Sequence, residues 1–302
     1  MTSGCNLLAA RGVTATSAWG PVLTWSDPTR PLAERLKTKE NASFAFQNSG
    51  LTREDYLKLM AGEVDFWKTK QNAEGAIIDP YERKEVQYST PAFAHAAATL
   101  VVSANRKDLL EPAARAMDCA THALSLHRGA DHHEDFYPPM LAHAIRLLKP
   151  LIAADRVARW ESDIKSIDPT ETYRAKEGSN NWNVVALSGE AQFQKMGLRS
   201  TSDPFVANSL AAQGRVFGSQ LGLYLEGPMA YDHFPRMWAA DMLADGYDGL
   251  YQKELSEVLR RAAITSLYMQ SPWGELPAGG RSAHHQWNEA EQCATYEIYS
   301  AE

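Results

Sequence analysis

Between Tyr224 and Tyr251 the chain gathers side chains that could move protons. Glu226, Tyr231, Asp232, His233 and Arg236 fall within a few residues of one another. Pro228 and Pro235 interrupt the backbone, and the apolar run from 237 to 243 reads as a helix. The cluster is therefore expected on a rigid loop at a helix N-terminus, where backbone N–H groups and the helix dipole favour anions. A phenol and an imidazole are common proton carriers, and a guanidinium or an amide can hold a carboxylate. The chemistry suggested is proton abstraction beside a carboxylate.

Four more polar clusters lie along the chain. Gln87, Tyr88 and Ser89 precede Pro91, either as ligand contacts or as a helix cap. Asp131, His132, His133, Glu134, Asp135 and Tyr137 form the second, which reads as substrate contacts, a metal site or a solvated loop. In the third, Asn180, Asn181 and Asn183 surround Trp182. An amide there can bond a carboxylate while the indole stacks on a ring, or the group can simply cap a helix. The last holds Arg281, His284, His285, Gln286, Asn288 and Glu289 after Gly279-Gly280, and Glu289 there could also serve only to complement a helix dipole.

The elements that must position these groups are helices. From Thr52 the pattern is helical, with Thr52 as cap and Tyr56, Leu59, Met60, Val64 and Trp67 on one face. An almost wholly apolar helix follows from Pro91. The same couplet recurs: a one-faced helix, a long polar loop, then a small-residue apolar helix. The one-faced members fall near 109–124, 152–163, 204–222 and 254–269. The clusters fall near residues 87, 133, 181, 232 and 285, a period of about 50 that marks a repeat architecture. The expected fold is all-α, an α/α toroid of about five helical hairpins with inner and outer layers, the ring incomplete. An open solenoid is the alternative. Strands are not expected, because no region keeps a period of two. Residues 1–50 read as an irregular lead-in and 51–302 as the toroid domain, cut short at its C-terminal end.

Composition narrows the class. The 302 residues carry a net charge of −7 with no long run of either sign, which argues against a nucleic-acid partner. No stretch approaches a membrane span. Cys5, Cys119 and Cys293 show neither metal-ligand spacing nor a disulfide framework. The N-terminus lacks a clear signal peptide. Eight tryptophans suit stacking on sugar faces, and suit an ordinary core equally.

Uronic-acid polymers are cleaved by β-elimination. The C5 proton is acidic only once the neighbouring carboxylate is neutralised, so a donor must bind that carboxylate. A tyrosine or histidine then removes the proton and returns one to the leaving oxygen. Asn181 and the Tyr231/His233 pair supply those functions without a cofactor, calcium being the one metal left open.

Asn181-Trp182 opening an inner helix, followed later by Glu226-Gly227 and His233, resembles the α/α-toroid polysaccharide lyases. These include chondroitin, hyaluronate and xanthan lyases, and a rhamnosyl-glucuronate lyase is a related subclass. The resemblance implies a secreted or periplasmic enzyme acting on an acidic polysaccharide or oligosaccharide. It makes Asn181 the carboxylate-binding amide and His233 a catalytic histidine. In that family the tyrosine follows the histidine; here Tyr231 precedes it and Tyr247 follows, so which tyrosine is the base stays open. The expected catalytic set is Asn181, Tyr231, His233 and Arg236. The expected substrate contacts are Tyr88, His133, Trp182, Glu226, Tyr247, Arg281, His285 and Glu289. Two rival readings are a toroid glycoside hydrolase using two of Glu226, Asp232 and Glu289, and a non-catalytic glycan-binding domain.

Overall fold

A computed structural model describes residues 19–20, 22–40, 52–174, 180–226 and 230–272. Among these the chain is all-helical, with eleven α-helices and no β-strand. Two isolated antiparallel bridges, Gln71 with Ile77 and Ile78 with Glu85, tie one loop. No helix among the described residues is long and apolar enough to cross a membrane. The helices are α1 Arg30–Glu40, α2 Arg53–Lys68, α3 Ser89–Ser103, α4 Leu110–Ser125, α5 Tyr137–Leu148, α6 Ala154–Ser166, α7 Pro169–Thr172, α8 Asn181–Lys195, α9 Phe205–Gln213, α10 Ala230–Ala244 and α11 Gln252–Met269. Contacts divide the chain into a first unit, Met1–Ser43, Glu177–Val184 and Ala207–Glu302, and a second, Phe44–Lys176 and Val185–Val206.

The second unit is built around α3. Ala94, Ala97 and Ala98 leave no side-chain bulk, so α2, α4 and α5 can all pack against α3. Each neighbour lends it an apolar face: Met117 and Leu124 from α4, Leu141 and Ile145 from α5. Burying one such side chain contributes about 1.5–3 kcal/mol. Helix α4 also carries α6 on its other side, through Val157, Trp160 and Ile164. Thr52 starts α2 with a capping box: its Oγ1 accepts from the Asp55 N–H at 3.2 Å, and Asp55 Oδ2 accepts from the Thr52 N–H at 2.8 Å. The inward face of α2 is Leu57, Met60, Ala61, Val64 and Trp67. That is one position round from the expected stripe, and Tyr56 and Leu59 stay 54% and 66% exposed. The reason is the 3.6-residue period: the stripe 57, 60, 61, 64 holds to one side of the axis, while 56 and 59 lie on its shoulder.

Glu190 of α8, fully buried, binds α7 and the turn after α8 together. It accepts from the Tyr173 hydroxyl and from the Arg199 fork, and Arg199 also donates to the Ile164 and Ile167 carbonyls. The preceding residue, Gly189, meets the start of α5. A Cβ there would sit 2.2 Å from Pro138 Cβ.

In the first unit α11 packs on α10 and on the turn Val22–Thr24. Trp19 is fully buried, donates from Nε1 to the Leu210 carbonyl at 2.7 Å and stacks on Phe217 and Tyr251. Gly222 (φ +77°) lies so close to α11 that a Cβ would fall 2.2 Å from the Val258 carbonyl oxygen.

Three boundaries differ from expectation. Helix α1 lies inside the stretch read as irregular. Thr29, tied to Asp27 by 2.6 and 2.9 Å bonds, accepts the Ala33 N–H at its carbonyl, and Pro31 falls in the first turn, where its missing N–H costs nothing. Helix α9 stops at Gln213 rather than near 222, because Gly214, Gly218 and Gly222 follow. Helix α10 begins at Ala230 and runs through Pro235, so Tyr231, Asp232 and His233 stand on a helix, not on the loop expected before it. The ring loses one backbone bond there, but the i, i+4 pair Asp232–Arg236 spans the same turn. The fifth expected inner helix lies outside the described residues.

Gly189→Ala should destabilise the chain by about 1–3 kcal/mol through overpacking against Pro138. Urea unfolding of the variant checks this, and an unchanged midpoint would contradict the close approach.

Candidate functional site

The N-terminus of α8 is closed by its own asparagines. Asn180 Oδ1 accepts the Asn183 N–H at 3.2 Å, and Asn183 Oδ1 accepts the Asn180 N–H at 3.1 Å. This reciprocal cap uses two of the three amides for structure. The third does something else. Asn181, 2% exposed, donates from Nδ2 to Glu226 Oε1 at 2.6 Å and from its backbone N–H to Glu226 Oε2 at 2.8 Å. A carboxylate is thus gripped at both oxygens by one residue at a helix N-terminus, where the dipole adds a further attraction.

A chain of buried hydrogen bonds leads from there to α10. Gln213, at the end of α9, donates to the Asn180 carbonyl and accepts from the Tyr224 hydroxyl at 2.8 Å. The Tyr224 N–H donates to Asp232 Oδ1 at 2.6 Å. Tyr224 and Glu226 are two residues apart, and two residues span at most about 7 Å. The Asn181 amide and the first turn of α10 are therefore neighbours.

Inside α10, Arg236 is fully buried and bonded to both Asp232 oxygens and to Ser266 Oγ of α11. Burial pushes the Asp232 carboxyl up, while Arg236 and the Tyr224 N–H pull against it. His233, 1% exposed, has its Nδ1 3.4 Å from Arg236 Nη2. A guanidinium only donates, so Nδ1 is the acceptor and Nε2 carries the proton. Burial first, and the Arg236 charge second, pull the imidazole down to about 3, so it stays neutral through the physiological range.

The remaining expected residues separate. Trp182 and Tyr231 are half-buried. Two positions apart on α10, Tyr231 and His233 leave the axis about 200° from each other and do not share a face. Tyr247 lies beyond the end of α10 and donates to the Leu250 carbonyl at 3.1 Å. Burial and Asp248 raise its hydroxyl. Tyr88 and His133 come together in the second unit, ring centroids 6.3 Å apart. Arg281, His285 and Glu289 lie outside the described residues.

The acidic second cluster serves the backbone. Asp131 takes Lys84 Nζ and the Gln87 N–H, Glu134 the Gly129 N–H and Asp135 the Arg174 N–H. Its three carboxylates thus point to three separate anchors. Within neither unit, among the described residues, do three His, Cys, Asp or Glu side chains gather around one point that would hold a metal ion.

Gln213, Tyr224 and Ser266 were not singled out by sequence. Nothing local marks them, since their partners lie 8 to 33 residues away.

Comparison of the chain with family models, with curated proteins and with solved structures gives no match.

The His233 shift has a measurable sign. The unfolded imidazole takes up a proton near its usual 6.5 and the folded one only near 3, so the unfolded state binds more protons between them. Stability is complete above the unfolded value and falls as pH drops through that window, by up to about 1.4 kcal/mol per pH unit. Urea unfolding between about pH 7.5 and about pH 5 should show a shallower loss in His233→Gln than in the parent chain. Equal slopes would contradict the buried neutral imidazole.

Proposed function

We propose that the chain is a carbon–oxygen lyase that cleaves a uronic-acid-containing glycan by β-elimination, with its helical hairpins arranged as an α/α toroid. The observation that carries this reading is the two-point grip of Asn181 on the Glu226 carboxylate. A group that holds an internal carboxylate this way has the donors to hold a uronate carboxylate, the step on which C5 acidity depends. In this reading the substrate carboxylate displaces Glu226 and takes its bonds.

Tyr231, half-buried in the first turn of α10, removes the C5 proton and returns one to the leaving oxygen. His233, buried on the far side of α10 from Tyr231, serves as a neutral group that positions the start of that helix, rather than as a base. Its Nδ1 is already turned to Arg236, and its depressed proton affinity excludes an imidazolium at neutral pH. Asp232 and Arg236 touch no substrate; they fix the His233 ring and the start of α10. No metal enters these steps. The hydrolase alternative draws less support, because Glu226 and Asp232 are bonded to Asn181 and Arg236.

The test is a panel of uronate-containing glycans followed by the ultraviolet absorbance of the unsaturated uronate product. Asn181→Ala and Tyr231→Phe should each lower turnover by about a hundredfold or more. His233→Gln, which keeps an acceptor for Arg236, should lose less than His233→Ala. New reducing ends without the unsaturated product would favour the hydrolase. Near-parental rates in folded Asn181→Ala and Tyr231→Phe would overturn the assignment.

A further inference from the structure

A cavity of about 400 Å³ opens in the second unit between the C-terminal half of α2, the loop 77–89 and the first turns of α3. That volume lies within the range of small-molecule sites, about 300–1,000 Å³. Its floor is apolar, from Val64, Ile77 and Phe93, all nearly fully buried. Two larger rings, Trp67 and Tyr88, also line it.

Tyr88 is held in place rather than left to pack at random. Phe136 stacks on its ring at 4.6 Å and 11°. The preceding residue, Gln87, has φ +47°, a left-handed conformation that costs free energy for a residue with a Cβ. Asp131 secures that conformation by accepting the Gln87 N–H at 3.2 Å. A strained turn is thus maintained next to a ring that faces a cavity.

The charged lining is of one sign. Glu63 and Asp79 line the cavity, and among the described residues no Lys, Arg or His does. Asp79 uses Oδ1 to accept the Tyr81 and Glu82 N–H groups at 2.8 and 2.9 Å. Its Oδ2 accepts no hydrogen bond among the described residues. An aromatic face attracts a cation through its quadrupole, and carboxylates beside it add Coulomb attraction. The same lining repels a carboxylate or a phosphate, so a uronate is a poor occupant here. A neutral ligand would use the rings but not the charges.

We infer that this cavity binds a small organic cation, an ammonium group clothed in methyl or methylene carbons, seated against Trp67 and Tyr88 with Glu63 and Asp79 as counter-charges. The inference is independent of the elimination chemistry and stands on the second unit alone.

The experiment titrates the whole chain with choline and, separately, with tert-butylethanol, its neutral carbon isostere, following the indole resonance of Trp67 by NMR. Choline should produce a saturable shift, and the neutral isostere should bind about tenfold more weakly or worse. Trp67→Ala should abolish the choline response, read there from the surrounding amide resonances. Because that variant removes part of the α2 face, Glu63→Gln provides a second reading at an exposed position, and should weaken choline while leaving the isostere unchanged. Equal binding of the two probes would reduce the cavity to an apolar dent and overturn the proposal. Absence of any saturable choline shift, or a Glu63→Gln chain that binds choline as before, would overturn it as well.

Discussion

A carboxylate held at the start of a helix constrains the whole first unit. Glu226 sits on the Asn181 side chain and backbone N–H at once. The N-terminus of α8 has orphan donors and a positive dipole end, so an acidic group there is stabilised twice over. Because Glu226 follows Tyr224 so closely, that grip also fixes the loop whose N–H reaches Asp232. Asp232 in turn sets Arg236, and Arg236 reaches both His233 and Ser266. The start of α8, the end of α9, the start of α10 and the last turn of α11 are thereby joined through polar contacts. A network of this kind is stable only while every member is satisfied, since a buried charge left alone costs several kcal/mol.

The helices were legible where the sequence carries periodicity. Most of the expected hairpin helices, those matching α2 to α6, α8 and α11, occur near the positions read from the sequence, because their apolar residues recur at helical spacing, and three of them start at a readable signal: a capping box at α2, prolines in the first turn of α5 and asparagines at α8. Helix α1 was missed although its signals were present: Thr29 bonded to Asp27, then Pro31 in the first turn. A proline-rich, polar stretch was read as irregular because those features also mark loops. Pro235 misled in a different way. A proline usually ends or begins a helix, and here it is carried within one, bridged by the Asp232–Arg236 pair. That pair could be foreseen from its spacing of four, but only after the helix itself was granted.

The candidate site was legible as a set of residues and not as a set of partners. Asn181 and Glu226 were both singled out, yet as separate contacts for a ligand. That one holds the other follows from the packing of segments 45 residues apart, which no local pattern encodes. The acidic run at 131–135 teaches the converse. Its carboxylates looked like ligands because they are crowded in sequence, but each is drawn to a different backbone N–H or lysine. Unsatisfied backbone donors in a loop are strong competitors for nearby carboxylates. Crowding in sequence therefore says little about convergence in space.

The account rests on the Asn181 amide being a clamp for carboxylates that Glu226 occupies by default. Its side-chain amide resonance, followed by NMR while free glucuronate is added, reads that occupancy directly. A saturable shift is expected in the parent chain, and a stronger response at lower concentration in Glu226→Ala, where the internal competitor is gone. An Asn181 resonance that ignores glucuronate in both chains would show that the grip is a helix cap and nothing more.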